Sequence, residues 1–261
     1  MNRGVLRVLF FCALIAAIFA PRAFAQDNYE IQVYGADTVA PGHTMFELHS
    51  NFTVQGSKTM VDGLFPTNHA EHETLEITHG FTSWFEVGFY LFTSIHNGQG
   101  WDWVGDHIRP RVRVPESWHW PVGVSLSTEI GYQRRQYSTD TWTQEIRPIV
   151  DKQLGRWYLA FNPALELSYH GENAGKAPGF SPNFTVGYDF TKKINGAIEY
   201  YGSFGPIDDF LPGELQQHQI FPAVNLNVSP KWEINAGVGW GLTGATDHLI
   251  VKGIVGYRFD W

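Results

Sequence analysis

What most constrains this chain is a hydrophobic pattern with a period of two. In the stretch from Leu249 to Trp261, alternate positions hold Leu249, Val251, Gly253, Val255, Tyr257, Phe259 and Trp261. Between them lie Ile250, Lys252, Ile254, Gly256, Arg258 and Asp260. Successive side chains of a strand point to opposite faces, so one face here is apolar and ends in aromatics while the other carries charge. The alternation recurs in Thr44 to Val54, around Leu75 and Ile77, in Phe85 to Leu91, Ile108 to Val114, Val122 to Gln133 and Glu145 to Val150. It continues in Trp157 to Tyr169, Asn183 to Phe190, Ile194 to Tyr200, Ile220 to Val228 and Trp232 to Trp240. After Gln26 no apolar run approaches the ~20 residues of a membrane helix. The choice is then between a secreted sandwich and a barrel whose apolar face meets lipid.

The connections decide it. Short ones fall at Thr82-Ser83, Pro115 to Pro121, Gln153 to Gly155, Thr191 to Lys193 and Ser229 to Lys231. Longer polar ones run Gln55 to Glu73, His96 to Asp106, Arg134 to Thr141, Gly171 to Gly179, Gly205 to Gln217 and Thr243 to His248. The two kinds alternate, as in a membrane barrel with short turns on one rim and long loops on the other. A sandwich has no reason to sort its loops. The expected fold is therefore all-β: a single antiparallel up-and-down transmembrane β-barrel of 12 strands over residues 42–261, with outer-membrane lipid around it. Trp84, Trp118, Trp120, Trp157, Trp232 and Trp261 gather at the short-turn end, where indole rings suit a membrane interface. The spacing of Val255, Tyr257, Phe259 and Trp261 resembles the assembly signal of bacterial outer-membrane barrels. That resemblance implies barrel-assembly machinery as a partner of the last strand, and the outer membrane of a Gram-negative-type cell as the location.

The other end agrees. Arg3 and Arg7 precede an apolar core from Val8 to Ala20, and Ala23-Phe24-Ala25 forms a small-x-small site before Gln26. Residues 1–25 are expected to be a secretory signal peptide, cleaved between Ala25 and Gln26. Residues 26–41 are expected to be a periplasmic lead. The single cysteine, Cys12, falls within the signal, so neither disulfide nor thiol chemistry is expected in the mature chain. Of 18 Lys and Arg, three lie in the signal, leaving 15 against 26 Asp and Glu. A chain so acidic is not expected to bind nucleic acid, whose phosphates need basic side chains.

The inward faces carry the charge. Each alternate strand has an inward glutamate: Glu47, Glu86, Glu129, Glu166, Glu199 and Glu233. Arg109, Arg111 and Arg113 sit two apart and must share a face, and lipid disfavours each of them strongly, so they point inward with Arg147 and Glu145. Glu129 lies on the strand between these two basic strands and is the expected hub of a lumenal ion-pair network. Such a network either fills and stiffens the interior or biases which solute passes. Pro110, Pro148 and Pro222 repeat in an I-x-P-x-V frame, and bends or bulges are expected there because proline lacks a ladder donor.

No catalytic constellation emerges. His49 and Ser50 are neighbours on a strand and point to opposite faces, so they cannot act as base and nucleophile. His69, Glu71, His72 and Glu73 cluster on an expected outer loop but lack the His-Glu-x-x-His spacing, and they are read as solvated. No metal, cofactor or enzymatic activity is expected. The reading is a narrow channel or passive transporter for a small solute; the alternative is a non-transporting structural or adhesive barrel. The run His79-Gly-Phe-Thr-Ser-Trp-Phe-Glu-Val-Gly88 at the first turn, with the overall strand pattern, resembles a family of outer-membrane transporters associated with meta-pathway degradation of phenols. The resemblance implies aromatic solutes.

Overall fold

The computed structural model describes residues 29–96 and 100–260. The expected signal peptide, with its Ala25–Gln26 junction, and Trp261 lie outside these residues. Period-two alternation is realised as twelve strands: β1 (His43–Gln55), β2 (Glu71–Thr82), β3 (Phe85–His96), β4 (Gly100–Arg113), β5 (Gly123–Gln133), β6 (Asp140–Leu154), β7 (Trp157–Gly171), β8 (Gly179–Asp189), β9 (Ile194–Ser203), β10 (Gln217–Leu226), β11 (Trp232–Gly241) and β12 (Leu249–Asp260). Each pairs antiparallel with its sequence neighbours, and β1 pairs β12, so the sheet closes. Closure runs through Phe46↔Tyr257, Leu48↔Val255 and Thr44↔Phe259, the aromatic end of the last strand. A closed sheet leaves no row of unpaired backbone groups, which is what permits strands to cross a membrane.

The faces are inverted relative to a water-soluble sheet. Leu48, Phe89, Ile108, Leu126, Phe161, Ile198, Val224 and Val255 are exposed on the outside, while Glu86, Arg109, Asn162 and Lys252 are buried inside. Water would disfavour such an apolar sheath, and lipid would not. Trp84, Trp118, Trp120, Trp157 and Trp232 are exposed at the short-turn rim, as expected. A single 3-10 turn, Glu116–Trp118, is the helical element among the described residues, and no helix there is long and apolar enough to cross a membrane. One loop differs from expectation. The connection expected from His96 to Asp106 is mostly strand, because β4 begins at Gly100 and pairs Trp101 with Ile95.

The three prolines cause no bulge. The β4–β5 ladder passes from Ile108↔Ile130 to Arg111↔Ser127, and the β10–β11 ladder from Ile220↔Trp240 to Ala223↔Gly237, both without change of register. On its other side each proline remains in register, Pro110 with Val87 and Pro222 with Ile198. Pro148 behaves alike, paired with Leu126 on β5 beside an interrupted β6–β7 ladder. Losing one donor interrupts one ladder locally, and the intact neighbour holds the register.

The largest departure concerns residues 29–41. Expected as a periplasmic lead, they form no strand: Tyr29 to Ala36 run inside the barrel, and the chain emerges through exposed Asp37, Ala40 and Pro41 to β1. Each apolar cluster of the lumen contains one or more of their side chains. Tyr29 packs with Tyr90, Phe92 and Val104; Ile31 with Tyr201, Phe221 and Ile250; Tyr34 and Ala36 with Ile149. Alternation alone cannot distinguish a segment lying beside a sheet from one threaded through it. The inserted segment completes the core by joining the apolar residues scattered over the otherwise polar inner face.

Candidate functional site

An extended segment with no strand partner must have its backbone groups satisfied some other way, because a buried unpaired amide or carbonyl is costly. Here the wall's polar side chains do it. Asn162 makes a reciprocal pair with Tyr34, accepting from its N–H at 2.7 Å and donating to its carbonyl at 3.0 Å. Thr74 and Asn51 donate to the Tyr29 carbonyl at 2.7 and 3.2 Å. Lys252 Nζ donates to the Ile31 carbonyl at 2.9 Å, and Arg111 to that of Gly35 at 3.1 Å. Val39 N–H donates to Glu86 Oε2 at 2.6 Å, and Arg113 pairs with Asp37 at 3.0 Å. Part of the inward charge therefore grips the segment.

Tyr34 is the centre of this grip. Three guanidinium groups lie over its ring: Arg111 at 5.0 Å, Arg147 at 5.1 Å and Arg109 at 5.2 Å from the centroid. These distances fall within the ~6 Å over which a cation is attracted to a ring face. Each arginine also has its own carboxylates. Arg109 reaches Glu76 at 2.5 Å and Glu86 at 3.3 Å, Arg111 reaches Glu86 at 2.8 Å, and Arg147 reaches Glu145 at 2.6 Å.

Glu129, the expected hub, takes a different partner. It bonds His107 Nδ1 at 2.6 Å, two residues before Arg109 on the same strand. Arg109 leans the other way, across β3 onto β2. What opens this lane is Gly88, the register partner of Arg109. A Cβ at Gly88 would lie 2.9 Å from Thr78 Oγ1 and 3.2 Å from Arg109 Nη2. Without it, the guanidinium crosses to Glu76 and Thr78. The network is thus centred on Glu76, Glu86 and Arg109. Glu76 was visible as an inward position beside Leu75 and Ile77, but nothing in the sequence singled out the lane.

The remaining inward acids are dispersed. Glu199 pairs with buried Lys252 at 2.5 Å and accepts from Tyr201 at 2.7 Å. Glu166 accepts from Ser181 at 2.6 Å, and Glu233 from Gln32 at 3.1 Å with Arg258 at 3.5 Å. Glu47 is buried beside Met45 and His49. On the short-turn side of the segment lies a cavity of about 460 Å³, lined among others by Tyr34, Glu47, Glu86, Arg111, Asp189 and Arg258. At the long-loop side, Phe65, His96 and Tyr137 form an aromatic cluster with centroids 5.3 to 5.5 Å apart. Burial and the Asp102 carboxylate, which accepts from Tyr137 at 3.0 Å, push the Tyr137 hydroxyl above its usual range.

The loop cluster read at His69 to Glu73 does not come together. β2 begins at Glu71, so His72 turns inward against Tyr29 while Glu73 accepts from Ser50. His49 and Ser50 do lie on opposite faces, with His49 fully buried.

A family model described as "Putative MetA-pathway of phenol degradation" matches residues 108–259, more than half of the chain. Among solved structures the fold is similar to the COG4313 outer membrane channel from Pseudomonas putida F1, with 11% identity and a TM-score of 0.57 over 88% of this chain and 100% of that one. It is similar also to the KdgM porin (10% identity, TM-score 0.54, 82% and 99% covered) and to the NanC porin (7%, 0.53, 83% and 100%). At these identities the likeness is one of fold. A comparison with curated protein sequences finds no match.

Proposed function

This chain belongs to the family described as "Putative MetA-pathway of phenol degradation", and from that premise we propose that it is a passive outer-membrane channel for small solutes, closed at rest by residues 29–41. The observation that carries the reading is the inserted segment itself. It is held by side chains rather than by strand pairing, so it can leave without breaking the barrel ladder. The cavity of about 460 Å³ beside it is the size of a small-ligand site. Small aromatic solutes suit both the family description and the lining, where the Arg109 and Arg111 guanidinium groups beside Tyr34 offer faces and donors to a phenolic ring. The similar folds of an outer membrane channel and two porins support a channel over an enzyme. The last strand would recruit the assembly machinery, and lipid would cover the apolar sheath.

A plugged lumen is also what a purely structural barrel would have. Planar-bilayer recordings on the mature protein and on a variant lacking residues 26–39 separate the two. The channel reading expects brief openings in the first and sustained conductance in the second. Silence from both would leave the structural barrel.

A further inference from the structure

We propose that Glu47, His49 and Glu76 form a binding site for a divalent transition metal of the zinc class inside the barrel. Glu47 and His49 lie two apart on β1 and so point into the lumen together, and Glu76 on β2 is the register partner of Glu47. One ligand atom from each of the three lies within 4.8 Å of the others. All three residues are buried, His49 completely.

Two further observations point to a cation. The first is the distribution of partners among the neighbouring charges. Arg109 is shared between Glu76 and Glu86, and Arg111 is taken by Glu86. No arginine is left for Glu47, whose carboxylate has no hydrogen-bond or ion-pair partner among the described residues although the residue is only 7% exposed. The second is His49. Neither ring nitrogen has a hydrogen-bond partner, and both are buried. Its Nε2 faces Glu76 Oε2 at 3.6 Å, beyond hydrogen-bond range. Two ligands of one tetrahedral ion at ~2.1 Å lie about 3.4 Å apart, so this pair already has the spacing of co-ligands. The Glu47 carboxylate completes the set from within 4.8 Å of both.

The donor set narrows the ion. One imidazole nitrogen with two carboxylate oxygens suits zinc and its neighbours, whereas calcium takes six to eight oxygens and copper(I) prefers sulfur. Glu47 and Glu76 both line the cavity, so water or a solute oxygen arriving from that side would take the remaining position. Thr78 donates to Glu76 Oε1 at 2.6 Å, an outer-shell bond that fixes the carboxylate and leaves Oε2 toward His49.

The test is metal binding by the untagged mature protein, purified in detergent after chelator treatment. Equilibrium dialysis against Zn²⁺, with Mg²⁺ and Ca²⁺ as comparison ions, is read by elemental analysis. The expected result is one Zn²⁺ per barrel, with affinity at least ~10-fold weaker in Glu47→Gln and in His49→Gln. Both variants must keep the gel shift on heating that marks an intact barrel. Co²⁺ substituted into the wild type should give the visible absorption of a low-coordinate site, absent from both variants. If the wild type takes up no Zn²⁺, the proposal fails and a proton balances Glu47 instead. It fails equally if the variants bind as the wild type does, since the ion would then sit elsewhere.

Discussion

Truncating Tyr34 to alanine should release the inserted segment while leaving the barrel closed. The ring is buried, packs on Ile149 and lies under three guanidinium groups. Removing a buried aromatic usually costs about 3–5 kcal/mol. Of this, the cation–π contacts account for roughly 1.5–3 at ~0.5–1 each. The backbone pair with Asn162 survives the change, and the arginines keep Glu76, Glu86 and Glu145, so the loss falls on docking. At tenfold per ~1.4 kcal/mol the undocked fraction should rise by about two to three and a half orders of magnitude. Tyr34→Phe is the comparison. It keeps the ring and loses only hydroxyl contacts of 3.3 Å to Tyr90 and 3.5 Å to Glu76, which are long for hydrogen bonds between oxygens. Single-channel open time and amide exchange over residues 31–36 report release independently. The reasoning is refuted if Tyr34→Ala opens and exchanges no more than Tyr34→Phe.

Gly88→Val should push Arg109 off Glu76 and lower stability by about 1–3 kcal/mol in urea unfolding, the range for stranding a buried polar group. Gly253→Ala, which meets nothing within 4 Å, should stay within ~0.5 kcal/mol of wild type. Lys252→Met leaves Glu199 with only Tyr201 and Asn235 as donors, and should cost about 3 kcal/mol by the same measurement. Deleting residues 257–261 removes Tyr257↔Phe46 and Phe259↔Thr44 from the closing seam, and the truncated chain should be missing from outer-membrane fractions. Unheated and heated samples of the intact chain should migrate differently on denaturing gels, because a closed sheet resists detergent.

The barrel was legible because lipid enforces a rule on every strand. One face must be apolar throughout, and a single misplaced charge is costly. That rule wrote Leu48, Phe89 and Val255 on one side and Glu86, Arg109 and Lys252 on the other. The lumen obeys no comparable rule. An inward arginine can lean to either neighbouring strand, and Arg109 chose β2 because a glycine left the way open. Glu129 stood nearer in strand order and paired with His107 instead. The inserted segment was equally hidden, since Tyr29, Ile31 and Val33 alternate as they would in a strand. The Glu47, His49 and Glu76 group depends on the β1–β2 register, which spacing within either strand does not reveal.

The inner face also explains why the barrel holds a stretch of its own chain, Tyr29 to Ala36, within it. Twelve strands enclose more space than an eight-stranded wall can fill with side chains, and less than the open channels of larger barrels. Filling that space with apolar residues would make the inner face resemble the outer and would weaken the distinction that sets register. A largely polar wall keeps the distinction but supplies only scattered apolar patches, such as Tyr90 with Phe92 and Tyr201 with Phe221. The segment from Tyr29 to Ala36 resolves this by bringing its own apolar side chains, Tyr29, Ile31 and Tyr34, to three separate places on the wall. Its backbone gives the wall's Asn162, Thr74, Lys252 and Arg111 further partners, beside the carboxylates that Lys252 and Arg111 already hold. Withdrawal would therefore expose apolar wall patches and unpair polar ones in a single step. Water can satisfy the polar groups, while Tyr90, Phe92 and Phe221 would be left bare. A solute with an apolar ring and a few polar atoms would cover what water cannot, and it is on this ground that an aromatic passenger is proposed for the opened barrel.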